Sequence, residues 1–140
     1  MADDHALLID AVRAGGELAA SYFGQNLDNW MKCPGQPVSE ADLAVDALLR
    51  DMLMSARPDY GWLSEESAES EGREKAERLW VVDPIDGTRA FLEGRPEYTV
   101  SVGLLENGQP ILGAVFNPQT GEFFEAFKGG GARCKGRTLH

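Results

Sequence analysis

The stretch Leu79-Trp80-Val81-Val82-Asp83-Pro84-Ile85-Asp86-Gly87-Thr88 decides how this chain is read. Leu79 to Val82 is a short apolar run rich in β-branched and aromatic residues, which predicts a buried strand. Pro84 fixes its own φ, lacks an amide proton and pushes Asp83 towards an extended conformation, so the strand is expected to stop at Asp83. Asp86-Gly87 is a turn signal, with Gly87 free to take positive φ or to let a ligand approach the backbone. Two carboxylates three residues apart in a tight turn can converge on one point, which is costly unless a cation lies between them. Carboxylate and carbonyl oxygens suit hard divalent ions, so Mg²⁺ is the natural partner. Asp-Pro and Asp-Gly pairs also serve ordinary loops, and one of the acids has an alternative use as the cap of a helix starting near Thr88.

Working outward, 140 residues make one domain with a substantial core. A formal net charge of −10 excludes general binding to nucleic acid or to anionic membranes. It leaves room for a small phosphorylated substrate, because bound cations invert the local field. No apolar run approaches the ~20 residues that span a bilayer, and the start, Met1-Ala2-Asp3-Asp4-His5, lacks the basic region of a secretory signal. Cys33 and Cys134 lie far apart with no metal-ligand spacing, as reduced thiols of a cytoplasmic protein would, a single disulfide being the alternative.

Residues 5–23 predict a helix with Leu8, Val12, Ala19 and Phe23 near one face, and Gly15-Gly16 marks close packing against another element. The glycines and prolines of 24–37 read as a loop or irregular arm whose main cation, Lys32, is expected to be solvated. Ser39 is a good N-cap, and Asp42 stands where a capping-box acid would, opening a second helix that carries Val45, Leu48, Leu49, Met52 and Ala56 to Pro58. For Asp42 to do more than cap, the first turn of that helix must face the Asp83–Thr88 turn. Gly61 to Ser64 reads as a short strand, after which Glu65-Glu66 is by itself the chemistry of a solvated loop edge. Residues 69–78 read as an exposed loop or short helix. Beyond Thr88 a short helix is expected over Arg89 to Leu92, its first amides facing a phosphate oxyanion. Strands over Tyr98 to Leu105, Ile111 to Phe116 and Glu122 to Phe127, joined through Asn107-Gly108, predict an antiparallel meander. The fold class is α+β, two N-terminal helices packed on a mostly antiparallel sheet.

Ser64-Glu65-Glu66-Ser67 followed by Trp80-Val81-Val82-Asp83-Pro84-Ile85-Asp86-Gly87-Thr88 resembles the inositol monophosphatase family of magnesium-dependent, lithium-sensitive phosphatases. Pro37 to Asp42 and Phe91 to Pro118 are also similar to that family, and Leu63-Ser64-Glu65-Glu66 leans towards its bacterial 3′(2′),5′-bisphosphate nucleotidase branch. The resemblance implies the first half of an αβαβα sandwich. It also implies two or three Mg²⁺ ions, with metal ligands at Glu65, Asp83, Asp86 and the Ile85 carbonyl. Glu65 and Thr88 would orient an attacking water with support from Asp42, and substrate contacts would fall to Glu65, Ile85, Asp86, Gly87 and Thr88. The expected reaction is hydrolysis of a phosphate monoester, a bisphosphorylated nucleotide or inositol 1-phosphate. Nothing after Gly131 resembles the family's second half with its Trp-Asp motif, so residues 1–140 are expected to be an N-terminal metal-binding domain without the C-terminal α/β half. The alternative expectation is a catalytically incomplete half that needs a partner chain, with an apolar sheet edge that favours a homodimer.

Overall fold

A computed structural model describes residues 2–67, 76–128, 131–134 and 137–139. Part of the segment read as loop or short helix over 69–78 lies outside them. Helix α1 spans Ala2–Tyr22 and α2 spans Glu40–Ala56, joined by a hairpin of β1 (Asn29–Cys33) and β2 (Gln36–Ser39). Strands β3 (Gly61–Ser64) and β4 (Arg78–Asp86), helix α3 (Thr88–Leu92) and strands β5 (Thr99–Glu106), β6 (Gln109–Asn117), β7 (Glu122–Phe127), β8 (Gly131–Cys134) and β9 (Arg137–Leu139) follow. The seven strands from β3 to β9 lie in one sheet in chain order; only β3 and β4 pair in parallel.

Both long helices pack on this sheet, α1 against β5 and β6 and α2 against β3 and β4. Leu8, Ala11, Val12 and Ala19 of α1 and Val45, Leu49 and Leu53 of α2 are buried against Trp62, Trp80, Val100, Val102 and Leu104. Gly15 and Gly16 do mark a close approach. A Cβ at Gly16 would lie 2.2 Å from the Phe116 ring, and one at Gly15 would lie 3.1 Å from Leu49. The expected α+β arrangement is thus the one observed. No helix among the described residues is long and apolar enough to cross a membrane.

Three local expectations change. The arm read as irregular is a two-stranded hairpin, with Trp30 opposite Val38 and Met31 opposite Pro37, closed by Pro34-Gly35. Proline is tolerated there because the strand is outside the main sheet and needs no second ladder. Strand β4 does not stop at Asp83. It slips register between Asp83 and Asp86 and continues to Asp86, since the missing Pro84 amide interrupts the ladder without ending the extended chain. Two further strands, β8 and β9, extend the meander beyond the three expected.

Far from that turn, Asp4 is buried with its carboxylate 2.7 Å from Arg57 Nε, 2.7 Å from the Tyr60 hydroxyl and 2.5 Å from Arg78 Nη1. Burial alone would raise this carboxyl, but hydrogen bonds from Tyr60 and Arg57 and the charges of Arg57 and Arg78 outweigh it and hold it below its ordinary 3.8. A depressed folded-state value means stability that is complete above the unfolded value and lost as pH falls below about 4 through the folded one. Asp4→Asn is therefore expected to lower stability by about 3 kcal/mol near neutral pH, because Arg57 loses its carboxylate partner and Arg78 keeps only Glu106. The loss should shrink below pH 4. Urea unfolding at pH 7 and pH 3 measures both, and an equal difference at the two values would refute the assignment.

Candidate functional site

Parallel pairing of β3 and β4 aligns Ser64 with Val82, so β3 ends beside the point where β4 begins its slipped stretch from Asp83 to Asp86. Glu65 and Asp83 are the next residues, and the Glu65 amide donates to the Val82 carbonyl at 3.3 Å. This is why two acids 18 residues apart meet. Asp86, Gly87 and Thr88 follow round the same turn, and with Ile85 they line a cleft of about 380 Å³ shared with Glu65, Glu66 and Asp83. Gly87 takes φ +92°, and a Cβ there would lie 2.6 Å from the Glu97 carbonyl oxygen, so glycine alone lets the chain turn into α3 so tightly.

Asp42 caps α2 and also reaches the Asp83–Thr88 turn. Its Oδ2 accepts from the Ser39 amide at 2.9 Å and the Ser39 hydroxyl at 2.7 Å, and Ser39 Oγ in turn accepts from the Ala41 and Asp42 amides. That is the capping box. Its other oxygen, Oδ1, accepts from the Thr88 hydroxyl at 2.8 Å, which also lies 3.2 Å from the Ile85 carbonyl. The first turn of α2 faces the Asp83–Thr88 turn, the condition for a wider role.

The hairpin arm borders the same cleft. Lys32 Nζ donates to the Glu65 carbonyl and to Glu66 Oε1, both at 3.2 Å, and lies 3.9 Å from Glu65 Oε2. Arg89 Nη2 donates to the Gly35 carbonyl at 3.3 Å, tying α3 to the arm. Lys32, expected to be solvated, is engaged instead. Glu66, passed over in the sequence, has a side chain only 9 % exposed, whereas Glu65 points to solvent at 66 %. An adjacent pair of acids carries no signal for which member turns inward. The register of β3 on β4 settles it.

The electrostatics are dominated by crowded carboxylates. Burial first, then the charges of Asp86, Glu65, Glu66 and Asp42, push the Asp83 carboxyl up to about 6. Burial also raises Glu66, with Lys32 opposing and Asp42 and Asp46 adding to the rise. Burial would lower Lys32, but its hydrogen bond to Glu66 and the charges of Glu66 and Glu65 raise it. Among the described residues no three His, Cys, Asp or Glu side chains already stand together as a ligand set. The donors are nonetheless the right kind for a hard divalent cation: Glu65, Asp83 and Asp86 carboxylates and the Ile85 carbonyl, lining one cleft in which Asp83 is destabilised by its neighbours' charge.

Known proteins are similar to this chain in sequence and in fold. The chain is 43 % identical over 135 residues to the inositol-1-monophosphatase of Rhizobium meliloti (strain 1021), covering 95 % of this chain and 50 % of that protein. It is 36 % identical over 121 residues to the 3′(2′),5′-bisphosphate nucleotidase CysQ of Escherichia coli (strain K12), covering 85 % of this chain and 49 % of the relative. The crystal structure of the extragenic suppressor protein suhB from Bartonella henselae superposes with a TM-score of 0.92 at 34 % identity, over 96 % of this chain and 53 % of that one. The chain thus spans about half the length of the curated relatives it matches. The sequence model of the inositol monophosphatase family matches residues 3–140. With the model, the relatives and the superposition agreeing over nearly every residue, the chain belongs to the inositol monophosphatase family.

Proposed function

We propose that residues 1–140 form the N-terminal, metal-holding half of a Mg²⁺-dependent phosphate monoester hydrolase. Its substrate is inositol 1-phosphate or a 3′(2′),5′-bisphosphorylated nucleotide. The observation that carries the reading is that Glu65, Asp83 and Asp86 line one cleft, with Asp42 bound to Thr88 beside them. Glu65, Asp83, the Ile85 carbonyl and Asp86 would hold two or three Mg²⁺ ions. Bound there, Mg²⁺ supplies a more acidic water and neutralises phosphate charge.

The chain's own groups do the rest. Thr88 has one hydroxyl proton, and donating it to the Asp42 carboxylate turns the lone pairs of Thr88 Oγ1 towards the cleft. That oxygen then accepts from the attacking water, and the exposed Glu65 carboxylate takes the second hydrogen bond and draws the proton away. The backbone amides of Gly87 and Thr88 hold the substrate phosphate. Arg89 places positive charge at the rim of the cleft, while the charge of Lys32 is matched by Glu66, so the bound cations carry most of the attraction for an anionic ligand.

A second reading has support of its own. The chain spans about half the length of its relatives. On this reading the half binds metal and phosphate without turnover until a second chain, such as a second copy in a homodimer, completes it.

Phosphate release by this chain from inositol 1-phosphate and adenosine 3′,5′-bisphosphate, with and without Mg²⁺ and beside Asp83→Asn, separates the two. Mg²⁺-dependent release that vanishes in Asp83→Asn supports turnover, and the preferred substrate names the branch. Mg²⁺ binding without release supports the incomplete half. Neither binding nor release overturns both.

A further inference from the structure

The buried stripe of α2 runs through residues 42, 46, 49 and 53, and its chemistry changes along its length. Leu49 and Leu53 are apolar and fully buried, whereas Asp42 and Asp46, 1 % and 5 % exposed, continue the same stripe as acids towards the cleft. Asp42 grips the turn after β4 through Thr88. Asp46, one helical turn on, does the same for the turn after β3. Its Oδ1 accepts a short hydrogen bond from the Ser64 hydroxyl, and Ser64 Oγ in turn accepts from the Glu66 amide at 3.2 Å.

From this we infer that Asp46 is a positioning residue, acting through the Ser64 hydroxyl to set the turn that presents Glu65 and Glu66 to the cleft. The direction of the chain of bonds supports it. Ser64 has one O–H to donate, and donating that hydrogen bond to the Asp46 carboxylate leaves the Ser64 Oγ lone pairs to accept from the Glu66 amide. An alcohol polarised in this way is a stronger acceptor than a free one. A charged group fully out of water needs such a partner, and a mere space-filler at position 46 would be apolar like Leu49 and Leu53. The rest of the turn is anchored independently, by the Glu65 amide on Val82 and by Trp62 Nε1 on Ser67 Oγ at 2.8 Å. Loss of the Asp46–Ser64 link therefore loosens the turn locally and does not unfold the domain. One face of one helix, through two acids four residues apart, sets the two cleft-lining turns relative to each other. The consequence for metal affinity rests on the proposed reading of the cleft; the consequence for the turn does not.

The test compares Ser64→Ala, Asp46→Asn and Asp46→Leu with Leu53→Ala, a core truncation on the same helix that touches neither turn. Two readouts are taken, amide hydrogen exchange at Glu66 and Mg²⁺ affinity by calorimetry. Ser64→Ala and Asp46→Leu are expected to speed Glu66 exchange by roughly tenfold, the loss of one local hydrogen bond. Mg²⁺ affinity should fall by about tenfold, as when a group supporting a metal ligand is removed. Asp46→Asn retains an acceptor oxygen and is expected to restore most of both. Leu53→Ala should lower the melting temperature without singling out Glu66. Glu66 exchange in folded Ser64→Ala no faster than in Leu53→Ala would overturn the inference even where Asp46→Leu does not fold, and so would an Asp46→Leu protein that folds and exchanges at Glu66 no faster than Leu53→Ala. Should the unaltered chain take up no Mg²⁺, the reading of the cleft fails, while the exchange rates still decide the role of Asp46.

Discussion

Asp83→Asn is expected to abolish Mg²⁺ binding and, in the presence of a chelator, to make the protein more stable than the parent. Asp83 is the half-buried acid in the cleft, facing Asp86, Glu65, Glu66 and Asp42, and its carboxyl sits at about 6 instead of 3.8. An acid whose folded value is raised above its unfolded one binds more protons when folded. Stability therefore falls as pH climbs from about 4 to about 6, and the whole penalty is present at pH 7. Two units of displacement correspond to on the order of 2 kcal/mol, several degrees in melting temperature. The amide has the same shape and no charge, so that penalty vanishes. Added Mg²⁺ reverses the order: ligand at a hundred times its dissociation constant stabilises the parent by about 2.7 kcal/mol and leaves the variant unmoved. Thermal melts of both proteins across pH 4–8, with chelator and with Mg²⁺, should show the curves crossing. Parallel curves would remove Asp83 from the proposed metal ligands.

Gly87→Ala is expected to be the most damaging single methyl in the cleft. At φ +92° an alanine is strained, and its Cβ would stand 2.6 Å from the Glu97 carbonyl oxygen, a backbone atom that moves only if the segment before β5 moves with it. Strain and crowding together amount to about 3 kcal/mol, near 10 °C in melting temperature. Relaxation of the turn to relieve the clash is expected to disturb the Thr88–Asp42 hydrogen bond, so Mg²⁺-linked stabilisation should weaken alongside. Circular dichroism melts with and without Mg²⁺ read both. A melting temperature within a degree of the parent would mean that the turn adapts and that glycine is dispensable there.

Much of this protein was legible without tertiary information because the signals were local. The Ser39–Asp42 capping box, the apolar face of α1 and the Asn107-Gly108 turn, with φ of 49° and 80°, each depend on residues within one turn of one another. So does the run from Trp80 to Thr88, whose acids, proline and glycine announce a sharp turn after a buried strand. The same locality misled at two places. Prolines at 34 and 37 suggested an arm without strands, and Pro84 suggested the end of β4, because the penalty for a missing amide depends on whether a neighbouring strand needs it there.

Only the tertiary structure decided who meets whom. Asp42 reaches Thr88 across 46 residues, Lys32 reaches Glu66 across 34, and Asp46 reaches Ser64 across 18. None of these separations has a period, and only the pairing of Asp42 with Thr88 was also implied by the family resemblance. They follow from α2 lying on the β3–β4 pair and from those two strands running parallel, which gathers two turns at one end of the sheet. The sequence by itself determined the kinds of group at the cleft and the turns that carry them, since propensity and capping act between near neighbours. Which acid turns inward, which lysine is engaged and which helix acid supports which turn were settled by packing, because burial is a property of the whole sheet and its helices.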